Sequence, residues 1–386
     1  MKLTCSQAEL NQALALVSRA ISSRPSHPIL STVLLSADAT TGQLTLTGYD
    51  LALGLQSTIP ASVETSGVTA LPAHLLGGIV ARLANDSPIT LHAAGEQATI
   101  TSLSGSYQLS AADPTDYPDL PAAAGGFLSV DADALARAIR ATAFCASSEE
   151  SKKILMGVYL LLDDAGLECA ATDGHRLAVF IVDDDSDAGA TASTGQPGIT
   201  IHARSIRELE RLISSNPGAP VTLCHHRGQL VATCGDQRLI SRTLDGTYPN
   251  YRQLIPHSFS RDLKLDRRGF SQALERVAVL ADQENNVVKL RSDPEAGTVT
   301  ILADAKDVGR GSESLPVVAE GEPIEIAFNV RYLLDGLKAM TSDQVLLRCN
   351  APTTPAVLEP VGVAVFTYLV MPIVARDILK ASQVRA

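Results

Sequence analysis

The chain has 386 residues, of which 45% are hydrophobic and 19% charged, a globular balance that excludes a disordered polymer and allows two or three domains with sizeable cores. Trp is absent and aromatic residues make up only 4%, so the cores are aliphatic and the base-stacking platforms of single-strand binders are disfavoured. A net charge of −11, taken alone, argues against a nucleic-acid partner.

The opening MKLTCSQAELNQAL has no apolar run of the kind a signal peptide needs, and no stretch of 18 apolar residues occurs anywhere. A cytoplasmic chain without membrane contact is expected. Cys5, Cys145, Cys169, Cys224, Cys234 and Cys349 are scattered along the chain, and reduced, buried thiols are expected of them.

In chain order, CSQAELNQALALVSRAI (5–21) carries apolar residues at helical spacing behind a Ser6 N-cap. GQLTLTGYDLALGLQSTI (42–59) alternates as an antiparallel hairpin, VTALPAHLLGGIVARL (68–83) runs from strand into helix, and DYPDLP (116–121) closes the segment before an AAAGGF linker (122–127). The plan then repeats. VDADALARAIRATAF (130–144) is a helix capped by Asp131, and KILMGVYLLLDDAGLECAATDG (153–174) reads as a hairpin. ITIHARSIRELERLI (199–213) goes from strand to helix, GAPVTLCHHRGQLVATCGDQRLISRTL (218–244) reads as hairpins, and TYPNYRQLIP (247–256) closes before a linker at Pro256 to Arg261. A third round has DRRGFSQALERVAVLA (266–281) capped by Asp266, EIAFNVRYLLDGLKAM (325–340) and TYLVMPI (367–373).

The strand-to-helix landmarks start at 68, 199 and 325, so they are 199 − 68 = 131 and 325 − 199 = 126 residues apart. A recurrence of that length means repeated units, here 1–124, 125–257 and 258–386. Each is expected to be an α+β domain of two helices packed on antiparallel sheets with about eight strands.

Charge is unevenly spread. Arg19, Arg82, Arg137, Arg140, Arg204, Arg207, Arg211, Arg267, Arg268, Arg276, Arg331 and Lys338 outnumber the acids of the same helical segments, while the rest of the chain is acidic. Arg is common on solvated helix faces. The alternative is a set of helices facing a polyanion, holding it through its phosphates without reading sequence.

Three constellations invite chemistry. Asp173 and His175 in ATDGHRLAV (171–179), read as a strand, point to one face, but no nucleophile elbow or phosphate loop accompanies them, so a structural or binding role is expected. In LCHHRGQLVATC (223–234), a turn at Arg227 to Gln229 sets Cys224 opposite Val231 and leaves Cys234 three rungs away, so no metal is expected there. DDDSDAG (183–189) has Ala188 and Thr194 where a calcium loop needs Gly and Glu, and is read as a solvated loop continuing to Gly198.

ATDGHRLAV, GTYPNYRQLIP, IEIAFNVRYLLDGLKAM, YLVMPI and SSRPSHPIL (22–30) together resemble, across essentially the whole chain, the β subunit of bacterial replicative DNA polymerase, the sliding-clamp family. The resemblance implies a non-catalytic processivity subunit without cofactor or metal, nucleoid-associated in the cytoplasm. Its three-domain protomers would pair head to tail into a six-domain ring, with helices lining a hole that encircles duplex DNA. Partners implied are DNA, the polymerase catalytic subunit, the clamp loader, and mismatch-repair and translesion proteins, whose short peptides carry a Gln followed by Leu and Phe anchors.

The implied peptide cleft comprises Leu155, Thr172, Gly174, His175, Arg176, Leu177, Pro249, Leu254, Asn329, Tyr332, Pro355, Leu369, Val370, Met371, Pro372 and Ile373. Aliphatic walls with a flexible Met suit Leu or Phe anchors, and Asn329, His175 and Arg176 are the expected polar handles. The resemblance places DNA contacts at Arg24 and Arg204, with Arg137, Lys152, Lys153 and Arg207 as further basic candidates, and the ring interface at Tyr107, Leu109, Val279 and Leu280. Departures from the family pattern are Gln253 in place of a basic residue, Glu149 in place of a neutral one, and a tail VARDILKASQVRA (374–386) that would shade the cleft. Rival readings are a protein-bridging scaffold of the same fold without DNA, and a hydrolase centred on Asp173 and His175.

Overall fold

A computed structural model describes residues 1–22, 24–85, 87–121, 128–163, 166–182, 198–282, 285–305, 308–362 and 365–374. The linker at 122–127, the loop read from 183 to 197 and the tail from 375 onward lie outside the described residues. Contacts group the chain into two units: Met1–Asp133 with Glu208–Thr243, and Ala134–Arg207 with Leu244–Ala386.

The first unit holds helices α1 (Gln7–Val17) and α2 (Ala73–Val80) and two antiparallel sheets. The smaller sheet runs Ser62–Thr65, Lys2–Ser6, Pro88–Ala94, Gln97–Ser102, Gly105–Ser110. The larger runs Leu128–Val130, Val221–His226, Gln229–Cys234, Gln237–Arg242, Leu53–Pro60, Gln43–Tyr49, Thr32–Asp38, Gly67–Pro72. It is continuous across two thirds of the sequence, because Gln237–Arg242 pairs with Leu53–Pro60 from Gln237↔Ser57 to Ser241↔Leu53.

Helix α1 buries Leu10, Ala13, Leu14, Leu16 and Val17, one face at helical spacing, against α2 and the strands Gln43–Tyr49 and Leu53–Pro60. Close approach requires Gly48, where a Cβ would lie 2.2 Å from the Val17 carbonyl oxygen. Ser6 stands at the N-cap position but its side chain caps nothing; instead Gln7 Nε2 donates to Val80 O at 2.7 Å and ties α1 to α2.

The second unit contains α5 (Arg267–Ala281) and α6 (Val330–Ala339), while α3 (Ala132–Thr142) and α4 (Ala203–Ser214) each run across a unit boundary. Its larger sheet runs Ile199–His202, Gly157–Asp163, Gly166–Thr172, Arg176–Val182, Phe366–Val370, Ala356–Pro360, Gln344–Cys349, Arg261–Asp266, Val318–Glu320. The smaller runs Gly309–Pro316, Thr298–Ala305, Val287–Asp293, Ile324–Asn329. Helix α5 buries Phe270, Ala273, Leu274, Val277, Ala278 and Ala281, and packs on α6 and the strands Thr298–Ala305 and Gly309–Pro316. Asp266 does cap it, accepting the Gly269 N–H at 2.6 Å.

Among the described residues the three sequence thirds contribute nine, eight and nine strands, each with two helices. All six cysteines are buried free thiols, and burial pushes Cys5 and Cys169 up to about 12. The 226–229 hairpin turns through Arg227 and Gly228, both at positive φ (49° and 75°). Cys224 faces Val231 while Cys234 faces Val221, three rungs further from the turn.

Candidate functional site

The strand Arg176–Val182 organises the site. It pairs with Gly166–Thr172 on one side and Phe366–Val370 on the other, so Leu177 lies opposite both Thr172 and Leu369. Leu177, Leu369, Ala170, Val179, Val357, Tyr248 and Tyr251 form a buried cluster, with Leu155, Ile154, Tyr159, Ile255 and Phe259 packed partly buried against it. Tyr159 stacks on Tyr248 at 5.0 Å between centroids, and Tyr251 meets both rings edge-on.

The sixteen residues that the resemblance assigns to a cleft divide by exposure. Leu177, Leu369, Val370, Thr172 and Pro372 are buried and form the floor. Leu254 (53% exposed), Met371 (39%), Pro249, Gly174 and His175 are exposed, and Leu155, Arg176, Asn329, Tyr332, Pro355 and Ile373 are half-buried. Leu155, Leu254 and Met371 are therefore apolar side chains of this set that solvent reaches.

Hydrogen bonds fix the rim. Met371 N–H donates to His175 O (2.9 Å) and Ile373 N–H to Ala327 O (2.8 Å). On the segment carrying Pro249 and Leu254, Tyr248 Oη accepts the Thr172 N–H at 3.1 Å. Three residues further along, the Tyr251 hydroxyl donates to Glu168, which also accepts Arg252 Nη2 at 2.8 Å. Glu168 is buried, and sequence reasoning missed it; an acid within the otherwise apolar strand LECAA was the available signal.

Asp173 and His175 do not form the same-face pair expected of a strand. Asp173, Gly174 and His175 make the turn between two strands, with Gly174 at φ 93°. The Asp173 carboxylate accepts the N–H groups of His175 (2.9 Å) and Arg176 (3.1 Å) and Arg176 Nε (3.0 Å), which commits it to holding the turn. The His175 ring stacks on Tyr332 at 6.4 Å.

Arg176, expected as a polar handle, has its guanidinium engaged. Nη1 donates to Asp335 Oδ2 at 2.6 Å, Nη2 to Phe144 O at 3.0 Å, and the group lies 4.5 Å from the Tyr332 ring centroid. The side chain of Asn329 caps α6 by accepting the Arg331 N–H at 2.9 Å. The same helix contains Gly336, where a Cβ would lie 2.2 Å from a ring carbon of Tyr368. Tyr368 is fully buried and donates its hydroxyl to Tyr332 O at 2.8 Å. Replacing Gly336 with Ala gains about 1 kcal/mol of helix propensity. The displaced ring outweighs that, and Gly336→Ala is expected to lower stability by ~1–3 kcal/mol in denaturant unfolding. An unchanged or raised midpoint would contradict this packing.

Of the candidate basic residues, Arg24, Arg137, Lys153, Arg204 and Arg207 are exposed. Lys152 pairs with Glu149 at 2.9 Å, which neutralises the departure there, and Arg207 donates to Ala143 O at 2.9 Å. Tyr107 is 39% exposed on the strand Gly105–Ser110, whereas Leu109 beside it is buried. Val279 is 67% exposed, and half-buried Leu280 packs where Gly311 leaves room, its Cδ1 2.8 Å from the place a Cβ would take. Among the described residues, Gly105–Ser110 pairs only with Gln97–Ser102 and Gly309–Pro316 only with Thr298–Ala305, so each ends its sheet with one edge unpaired.

The three domain families of the DNA polymerase III beta subunit match in order: the N-terminal domain at residues 1–121, the central domain at 129–250 and the C-terminal domain at 252–374. The beta sliding clamp of Synechococcus elongatus is 49% identical over 379 residues, covering 98% of this chain and 100% of the relative. That of Synechocystis sp. is 44% identical, covering 97% and 99%. The solved beta sliding clamp of Caulobacter crescentus superposes with a TM-score of 0.90 at 30% identity, covering 97% and 99%.

Proposed function

The chain belongs to the DNA polymerase III β subunit family, the bacterial sliding clamps, and from that membership we propose how it acts: two copies close head to tail into a ring around duplex DNA. It is a non-catalytic DNA sliding clamp, a partner of DNA and DNA polymerase. The observation that carries this reading is the unbroken, ordered match of three clamp domains along the whole chain. Domain boundaries are placed near 124 and 257.

Ring closure uses two of the sheet-end strands. Gly105–Ser110 of one protomer aligns with Gly309–Pro316 of the other, and Tyr107, Leu109, Val279 and Leu280 cover the joint. A free strand edge is a template for pairing with another chain, and a two-fold arrangement satisfies both ends of both copies. Duplex DNA passes through, held weakly through its phosphates by Arg24, Arg137, Lys153, Arg204 and Arg207, with Lys152 set back by its pairing to Glu149. The polymerase subunit, the clamp loader, and mismatch-repair and translesion proteins dock in turn by an extended peptide laid over Leu155, Leu254 and Met371. The site of action is the nucleoid within the cytoplasm.

The test is topological. Loaded clamp is expected to stay on nicked circular plasmid and run off linear duplex, with weak direct affinity that falls as salt rises. Arg24→Ala with Arg204→Ala is expected to weaken direct binding about equally on unrelated sequences. Equal retention on circular and linear DNA would reduce the protein to a bridging scaffold of the same fold.

A further inference from the structure

We infer that the unit formed by Ala134–Arg207 and Leu244–Ala386 holds a second ligand site, for an organic anion with a flat apolar body, coupled to the peptide cleft through Asp335. The site is a cavity of about 410 Å³ lined by residues of α3 and α6 and of the strands they cover. That volume suits a small organic ligand. The chain has only 7 Phe, and Phe144, Phe180 and Phe366 all line this cavity. Phe180 and Phe366 face each other across paired strands with their centroids 6.2 Å apart.

Arg137, Arg140 and Lys338 supply the charge, and all three are exposed. Among the described residues Arg137 and Lys338 make no hydrogen bond or ion pair, so their charge is open to a ligand. A hydrated inorganic anion would use the cations and leave the aromatic wall empty, and a neutral aromatic would do the reverse. Only a molecule with both parts uses the whole cavity.

Asp335 is the one carboxylate among the described lining residues. Its Oδ2 accepts Arg176 Nη1 at 2.6 Å, Arg176 lies over Tyr332, and Tyr332 stacks on His175. A chain of contacts thus runs from the cavity to the polar side of the cleft. An anion seated among the three cations repels the Asp335 carboxylate toward Arg176 and strengthens the pair that withholds the guanidinium from a client. Anion and client peptide therefore oppose each other, and linkage makes the opposition equal in both directions. This coupling rests on the cleft reading given above; the cavity itself does not.

The probe is 1-anilinonaphthalene-8-sulfonate, a fluorescent aromatic anion, read against a protein without Trp. Saturable enhancement is expected with the full-length chain. Ala339→Phe, which fills the cavity without changing charge, and the double variant Arg137→Glu with Lys338→Glu should each weaken it at least tenfold, with thermal unfolding midpoints unchanged. Inorganic phosphate should not displace the probe, and Met371→Glu should leave its binding intact. Saturating probe should weaken client-peptide binding three- to fivefold, peptide should weaken the probe equally, and Asp335→Asn should remove the mutual effect. Probe affinity unchanged in both cavity variants, lost in Met371→Glu, or displaced by phosphate overturns the site. Unchanged peptide affinity with probe bound overturns the coupling. A wild-type chain that binds no client peptide sinks the cleft reading, whereas the probe titration of Ala339→Phe judges the cavity alone.

Discussion

Met371→Glu is expected to abolish client-peptide binding while leaving the dimer intact. Met371 is exposed on a rim whose backbone is pinned to His175, and with Leu254 and Leu155 it offers the accessible apolar surface above a buried floor. Each Leu or Phe anchor buried there contributes roughly 1.5–3 kcal/mol. Ordering a flexible peptide offsets much of that, so the wild-type affinity should be micromolar. A carboxylate facing the same anchors must be desolvated without a partner, at a cost of several kcal/mol, so binding should fall by more than about a hundredfold. Titration of a labelled peptide bearing Gln, Leu and Phe against both proteins decides it, and equal affinities would mean the cleft lies elsewhere.

Leu280→Asp is expected to convert the dimer to monomers. Leu280 is half-buried against the glycines of the terminal strand Gly309–Pro316, and neighbouring Val279 is 67% exposed. A charge at that position, enclosed by a second protomer, is destabilising by about 3–5 kcal/mol when unpaired, and each ring contains the contact twice. Light scattering at micromolar concentration should give the mass of one chain rather than two. A variant that stays fully dimeric would remove Leu280 from the interface.

Much of this was legible in the sequence, for identifiable reasons. Helical spacing of apolar residues marked α1, α3 and α5, and a strand-to-helix transition marked α2, α4 and α6; α5, with Phe270, Leu274, Val277 and Ala281 inward, is the clearest instance. The expected pairing of Cys224 with Val231 in the 221–234 hairpin is observed, although the turn is confined to Arg227 and Gly228 and Gln229 already pairs with His226. What the sequence does not announce are the hydrogen-bond partners of its polar groups. Asp173 and His175 were read as strand neighbours, but an Asx-Gly sequence is also a turn signal, and the carboxylate took the turn's own N–H groups. Arg176 and Asn329 are half-buried, and the Arg176 guanidinium is held by Asp335 and Phe144 while Asn329 Oδ1 accepts the Arg331 N–H; the long-range partners of Arg176 are announced by no local pattern. Glu168 shows in the sequence only as an acid within an apolar strand; its partners, Tyr251 and Arg252, stand more than eighty residues away, so no local pattern links them.

The repeat in the sequence has a period of one third of the chain, but the hydrogen-bonded sheets do not respect that period. Half of the middle third finishes a sheet begun by the first, and the other half finishes one shared with the last. A segment cut at 125 and 257 thus carries part of two sheets and completes neither alone. Cut out and expressed alone, it would present two raw strand edges, Gln237–Arg242 and Arg176–Val182, each stripped of its neighbour, and such edges recruit whatever strand they meet.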